Sequence, residues 1–190
     1  MKRLFIGLFA LLCTAQTVFA QEVKLKKIAV TEQIGIALPE TFRAMTDNEV
    51  VAEYTVYRKP LAMYRDDRDP VHLGINMSAS RWENKDMVIL KSFYKATLLD
   101  LYSDIDFIQE ELVTQGDYQY AVFEFTSVVR QNDNEESIVA SSPIRRYTYI
   151  QYTVVNGNVM VFNFSSPMML QMKWAPVAKA MMATIDLKGI

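Results

Sequence analysis

The chain has 190 residues, of which 51% are hydrophobic, with 20 basic side chains against 22 acidic ones, one histidine and one cysteine. Neither charge forms a long block, so the basic footprint of a nucleic-acid interface is absent and no nucleic-acid partner is expected. Half the residues being apolar supplies a sizeable core and excludes an intrinsically disordered chain.

The first twenty residues, MKRLFIGLFALLCTAQTVFA, set Lys2 and Arg3 before an apolar run from Leu4 to Leu12 and close on Val18-Phe19-Ala20. That order is a secretory signal peptide, too short for a membrane span, with cleavage expected after Ala20. Cys13 fits a lipoprotein signal poorly, because bulky Leu12 stands where a small residue is needed. Removing the leader leaves residues 21–190, expected as a single α+β domain with 18 basic against 22 acidic side chains and no cysteine. Disulfides and thiolate chemistry are then excluded. No later stretch is apolar and long enough to form a transmembrane segment, so the expectation is a soluble exported protein, periplasmic or secreted.

In chain order, IGIALPETF (Ile34 to Phe42) reads as a short strand ended by Leu38-Pro39, and VVAEYTVYRKP (Val50 to Pro60) as a second strand rich in β-branched and aromatic residues. In VHLGINMSA, Val71, Leu73, Ile75 and Met77 face one way, while His72, Gly74, Asn76 and Ser78 face the other. Lys85 to Tyr102 has no breaker and repeats apolar residues at helical spacing, with Met87, Leu90, Tyr94, Thr97, Leu98 and Leu101 on one side. Two strands follow, Asp106 to Thr114 and Tyr118 to Arg130, joined at Gln115-Gly116-Asp117, and then a polar loop at Gln131 to Ser137.

The most specific local signal is RRYTYIQYTVVNGNVMVFNFSS. Asn156-Gly157 between alternating runs marks a two-residue hairpin turn, because both turn residues must accept positive φ. Such a turn pairs Val155 with Asn158, Thr153 with Met160, Gln151 with Phe162 and Tyr149 with Phe164. One face then carries Tyr147, Tyr149, Met160, Phe162 and Phe164; the other carries Ile150, Tyr152, Val154, Val159 and Val161. An antiparallel sheet wetted on one side would be polar there, so two apolar faces demand a layer above and a layer below. A final helix is expected to start at Ser166-Pro167, with serine as cap and proline at the first helical position, and to kink or split at Pro176.

The predicted architecture is an antiparallel sheet with helices on both faces. The leading IALPETF, the central helix, the long hairpin and the last helix look like the PsbP/Mog-like superfamily of α/β/α sandwiches, over roughly Ile28 to Leu187. The resemblance implies that fold, and binding in place of catalysis; it carries over no functional residue.

The densest group of reactive side chains lies in YRDDRDPVHLGIN, Tyr64 to Asn76. One reading makes Asp66, Asp67, Asp69 and His72 a divalent-metal site of a hydrolase. The other makes the stretch a charge-balanced turn, since aspartates start turns, Asp69-Pro70 forces an extended approach, and Arg65 and Arg68 neutralise the carboxylates. The stretch lacks the glycine and distal glutamate of an EF-hand loop. G-x-S-x-G, H-E-x-x-H and G-x-x-x-x-G-K signatures are absent, so no enzyme and no cofactor is expected. Met168, Met169, Met172, Met181 and Met182 form a methionine-rich helix that either fills gaps against the sheet or offers an adaptable apolar surface. Trp82 and Arg81 are candidates for an exposed anchor. Two function classes follow. The first is a binding or assembly protein holding a protein partner in the cell envelope through Arg65, Asp66, Asp67, Asp69 and His72, or through Met168, Met169 and Met172. The second is a small-molecule or lipid carrier with an apolar pocket beside Tyr147, Tyr149, Phe162 and Phe164.

Overall fold

The computed structural model describes residues 23–53, 59–102, 104–129 and 144–188. The leader, the polar loop at 131–137 and residues 54–58 of the second expected strand lie outside the described residues. In the N-terminal half, β1 (Leu25–Ala29), β2 (Ile34–Pro39) and β3 (Phe42–Ala44) lead into α1 (Asp47–Glu53), then β4 (Ala62–Asp66), β5 (His72–Arg81) and α2 (Met87–Leu101). Next come β6 (Asp104–Gln115), β7 (Tyr118–Val129), β8 (Ile144–Val155), β9 (Asn158–Pro167), α3 (Gln171–Met182) and β10 (Asp186–Leu187).

Two antiparallel sheets result: a small one in the order β1-β2-β10, and a seven-stranded one in the order β3-β4-β5-β9-β8-β7-β6. The hairpin closes at Asn156 (φ 50°) and Gly157 (φ 75°), and β8 and β9 pair in the expected register, Tyr149 opposite Phe164 and Val155 opposite Asn158. Its two faces are both covered. On one side Tyr147, Phe162 and Phe164 pack beneath Trp174, Val177 and Met181 of α3, with Ile34, Ile36 and Leu38 of β2 closing the same core. On the other, Ile150, Tyr152 and Val159 join Phe123 and Phe125 of β7 beneath Met87, Leu90, Tyr94 and Leu98 of α2, and the Tyr94 and Tyr152 rings stack at 4.0 Å. The α/β/α sandwich expected from the pattern is the observed architecture.

Three local expectations are corrected. Val50 to Glu53 are helical, not strand. Thr46 and Glu49 form a capping box in which the Glu49 N–H donates to Thr46 Oγ1 (3.3 Å) and the Thr46 N–H to Glu49 Oε2 (2.8 Å), so this start was encoded in Thr46-Asp47-Asn48-Glu49. The strand from Ile34 ends at Leu38-Pro39 as expected, as β2, and the short β3 follows after a turn at Glu40-Thr41. Leu101, expected inward on α2, is 68% exposed, because the helix ends there and the backbone turns extended at Tyr102. Finally, β9 continues through Ser166 and Pro167; buried Ser166 sits opposite Tyr147 and caps nothing, and helical turns begin only at Met168. Pro176 lies inside α3 without splitting it, on its exposed side, where the carbonyl it leaves unpaired can meet water.

Candidate functional site

The stretch YRDDRDPVHLGIN forms the end of β4, the turn Asp67–Pro70 and the start of β5. Asp66 is 2% exposed. Its Oδ1 accepts the backbone N–H groups of Arg68 (2.9 Å) and Asp69 (2.8 Å), and its Oδ2 accepts the Thr41 hydroxyl. An aspartate that closes a turn on backbone N–H groups just ahead of it is the usual reason for its presence there. Asp69 reaches the other way, onto α3, where its Oδ2 accepts Trp174 Nε1 at 2.8 Å and pairs with Lys173 Nζ. Asp67 pairs with Arg43 at 2.9 Å, and Arg65 with Glu53 of α1 at 2.6 Å; Glu53 Oε2 in turn lies 3.1 Å from His72 Nε2. The side chains expected to converge therefore point in different directions. Among the described residues no three His, Cys, Asp or Glu side chains come together as ion ligands, so the carboxylate–imidazole metal site is not assembled.

This geometry sets the electrostatics. The ammonium of Lys173 and the indole N–H hold the Asp69 carboxyl below the usual carboxylate range, despite its desolvation. Arg43 and the Thr46 N–H hold Glu49 far below that range. Burial pushes the His72 imidazole down; Glu53 opposes the shift, while Arg65 and Arg146 add to it. A carboxyl depressed in the fold contributes its full stability above the unfolded value near 4 and loses it as pH falls through the lower folded value. Asp69→Asn is therefore expected to flatten the fall in unfolding free energy below about pH 4. Urea unfolding across that range reads it, and superimposable acid limbs for the two proteins would show that the α3 clamp carries no such linkage.

The aromatic residues expected to line a pocket are core. Tyr147, Phe162 and Phe164 have no exposed surface and Tyr149 very little. Trp174 lies 6.0 Å from the Phe164 ring and Tyr147 lies 6.3 Å from it, so α3 fills the space a ligand would need. The Tyr147 hydroxyl donates to Glu124 Oε1 at 3.0 Å, and Lys179 Nζ stands 2.7 Å from Glu124 Oε2. Burial and this carboxylate push the Tyr147 phenol far above its ordinary value, which keeps it a donor. Two open grooves, of about 280 and 400 Å³, run along β1 and β2, away from these rings. The carrier pocket beside Tyr149 and Phe162 is thus corrected to a packed face.

The methionines divide. Met181 and Met182 are fully buried against the sheet, whereas Met169 is 88% and Met172 91% exposed, with Met168 beside them partly exposed. A larger apolar surface escaped sequence reasoning. α2 turns Val88, Ile89, Phe93 and Leu99 outward, each roughly half to two-thirds exposed, and Trp82 leans on Phe93 with ring centroids 5.5 Å apart. The signal was there: MVILKSFYKATLLDL is apolar on nearly every side, and a helix of that kind has more than one face to cover.

No protein-family model and no curated protein matches the chain in sequence. Solved structures do match its architecture. The cyanobacterial PsbP (CyanoP) of Synechocystis aligns over 89% of this chain and 95% of its own, with TM-score 0.52 and 11% identity. LpqN of Mycobacterium tuberculosis aligns over 86% and 91%, with TM-score 0.53 and 14% identity. The Ran-binding protein Mog1p of Saccharomyces cerevisiae aligns over 87% and 96%, with TM-score 0.53 and 11% identity.

The chain has the PsbP/Mog1-like fold.

At these identities the PsbP/Mog1-like likeness extends to the layers and strand order and to no side-chain role. No described helix is long and apolar enough to cross a membrane. The outward face of α2 and the exposed methionine edge of α3 lie on opposite sides of the PsbP/Mog1-like sandwich, which leaves two separate surfaces to account for.

Proposed function

We propose that this chain is an exported, non-enzymatic binding or assembly protein of the bacterial cell envelope, acting by protein–protein contact through the outer face of α2. The observation that carries the reading is the set Val88, Ile89, Phe93 and Leu99 on the solvent side of a helix whose inner side is already buried. A surface helix is ordinarily polar on that side, and contiguous exposed apolar patches mark contact sites. The signal-like leader supports export. Two proteins of the same fold are described in matching terms, LpqN as involved in cell envelope biogenesis and Mog1p as Ran-binding. The charged turn at Arg65, Asp66, Asp67 and Asp69 spends its charges on Arg43, Glu53, Lys173 and its own backbone, which leaves α2 the better docking surface.

Phe93→Glu combined with Leu99→Glu tests it. Both side chains are half in water, so the fold is expected to survive, whereas burying two carboxylates in an apolar interface is expected to weaken binding at least tenfold, about 1.4 kcal/mol or more. A protein captured from envelope extract by the unaltered chain should show this loss in a direct affinity measurement. Equal affinity for the double variant would remove α2 as the contact, and no specific capture by the unaltered chain would remove the binding role itself.

A further inference from the structure

We infer that Arg146, with Ser127 across from it and His72 and Tyr102 nearby, forms a binding site for a carboxylate on the α2 side of the large sheet. The register places these groups. Ser127 stands opposite Arg146, Phe125 opposite Thr148, and His72 opposite Ser165, which itself faces Thr148. Phe125 belongs to the core beneath α2, and side chains two apart on a strand share a face, so all of these lie on that side. Tyr102, just past the end of α2, closes the apolar core on Phe125 with ring centroids 5.4 Å apart. The next rung of the sheet carries Ser127 and Arg146, and there the face turns polar.

Two features there have no counterpart within the fold. Arg43 and Arg65 meet Glu49, Asp67 and Glu53, whereas half-buried Arg146 meets no carboxylate among the described residues. Its charge acts on both His72 and Tyr102, which sets the guanidinium between β5 and the end of α2. Ser127 is 3% exposed and its hydroxyl has no hydrogen-bond partner; Asn163 Oδ1, opposite Gly74 on the same face, has none either. Buried polar groups are ordinarily paired, so two orphans beside an unmatched arginine point to a bound group. Charge counting selects it. Arg65 and Glu53 cancel at 2.6 Å, and burial holds His72 down and uncharged at neutral pH, so one net positive charge is left. A guanidinium offers a planar fork that fits a carboxylate through two parallel N–H donors. One charge matches a carboxylate and leaves a phosphate dianion half neutralised. The site uses neither Phe93 nor Leu99, and it stands whether or not α2 contacts a partner.

The test is an NMR titration of the chain with benzoate, and in parallel with a short peptide bearing a free C-terminal carboxylate, its C-terminal amide, and inorganic phosphate. The Arg146 Nε–H and Ser127 amide signals are expected to shift together and saturate with a carboxylate. Arg146→Gln has no ion pair to lose, so it should fold, and it should bind the same acid at least tenfold more weakly; the titration of the parent chain stands by itself if the variant does not fold. Saturation by benzoate assigns the site to small acids, and saturation by the peptide acid alone assigns it to a protein terminus; either supports the carboxylate. Silence of both acids, equal affinity of the glutamine variant, an amide bound as tightly as its acid, or phosphate bound more tightly than either acid would each overturn the site.

Discussion

Trp174→Ala is expected to remove roughly 3–5 kcal/mol of folding free energy, lowering the melting temperature by about 2–4 °C for each kcal/mol lost. The indole is almost wholly buried between Phe42 at 5.6 Å and Phe164 at 6.0 Å, and its Nε1 donates to Asp69. Truncation forfeits the buried area, leaves a cavity between α3 and the sheet, and takes one of two partners from Asp69. Trp174→Phe retains most of the ring and should cost only the bond to a charged acceptor, about 1.5–3 kcal/mol. Urea unfolding at unchanged m-value separates the two variants, and an alanine variant within 1 kcal/mol of the parent would show that α3 is not anchored here.

Phe123→Ala should cost a similar 3–5 kcal/mol, from the other face. Phe123 has no exposed surface and meets Phe107 and Tyr152, each with ring centroids 6.0 Å away, in the core under α2. Because it shares no partner with Trp174 across the sheet, the two losses are expected to add within about 0.5 kcal/mol. Their sum rivals the roughly 5–15 kcal/mol that holds a typical domain folded, so the double variant should be largely unfolded at room temperature. Denaturation curves of the two single variants decide the point; a large loss in one and a trivial loss in the other would mean that the sheet is covered on one side only.

The layers were legible where a residue type leaves the backbone one choice. Asn156-Gly157 admits positive φ at both turn positions, which fixes the register, and the register fixes which of Tyr147 to Phe164 share a face. The α1 helix was missed because Val50, Val51 and the aromatics beyond them read as strand, while Thr46 and Glu49 decided the matter locally by capping. The small sheet was missed too: Lys26 and Lys27 interrupt β1, and the two residues of β10 carry no pattern at all. Side-chain destinations were least legible. Asp66 and Asp69 are three apart in a turn, yet one folds back on its own backbone and the other reaches a helix more than a hundred residues along. Similarly, alternation in β8 and β9 identified an apolar face, but only the arrival of Trp174 shows that the face is filled and not hollow.

The pairing of β5 with β9 joins His72 to Ser165 and Ile75 to Phe162 in the middle of the large sheet. β3, β4 and β5 can pair with one another early, but the second edge of β5 waits, during synthesis, for a strand that emerges nearly at the end. Closing so long a loop carries an entropic cost before any contact compensates it, and chains dominated by such distant partners fold in milliseconds to seconds. The ribosome can hand over an N-terminal half with an unpaired central edge, and the last forty residues act as the bolt that locks it.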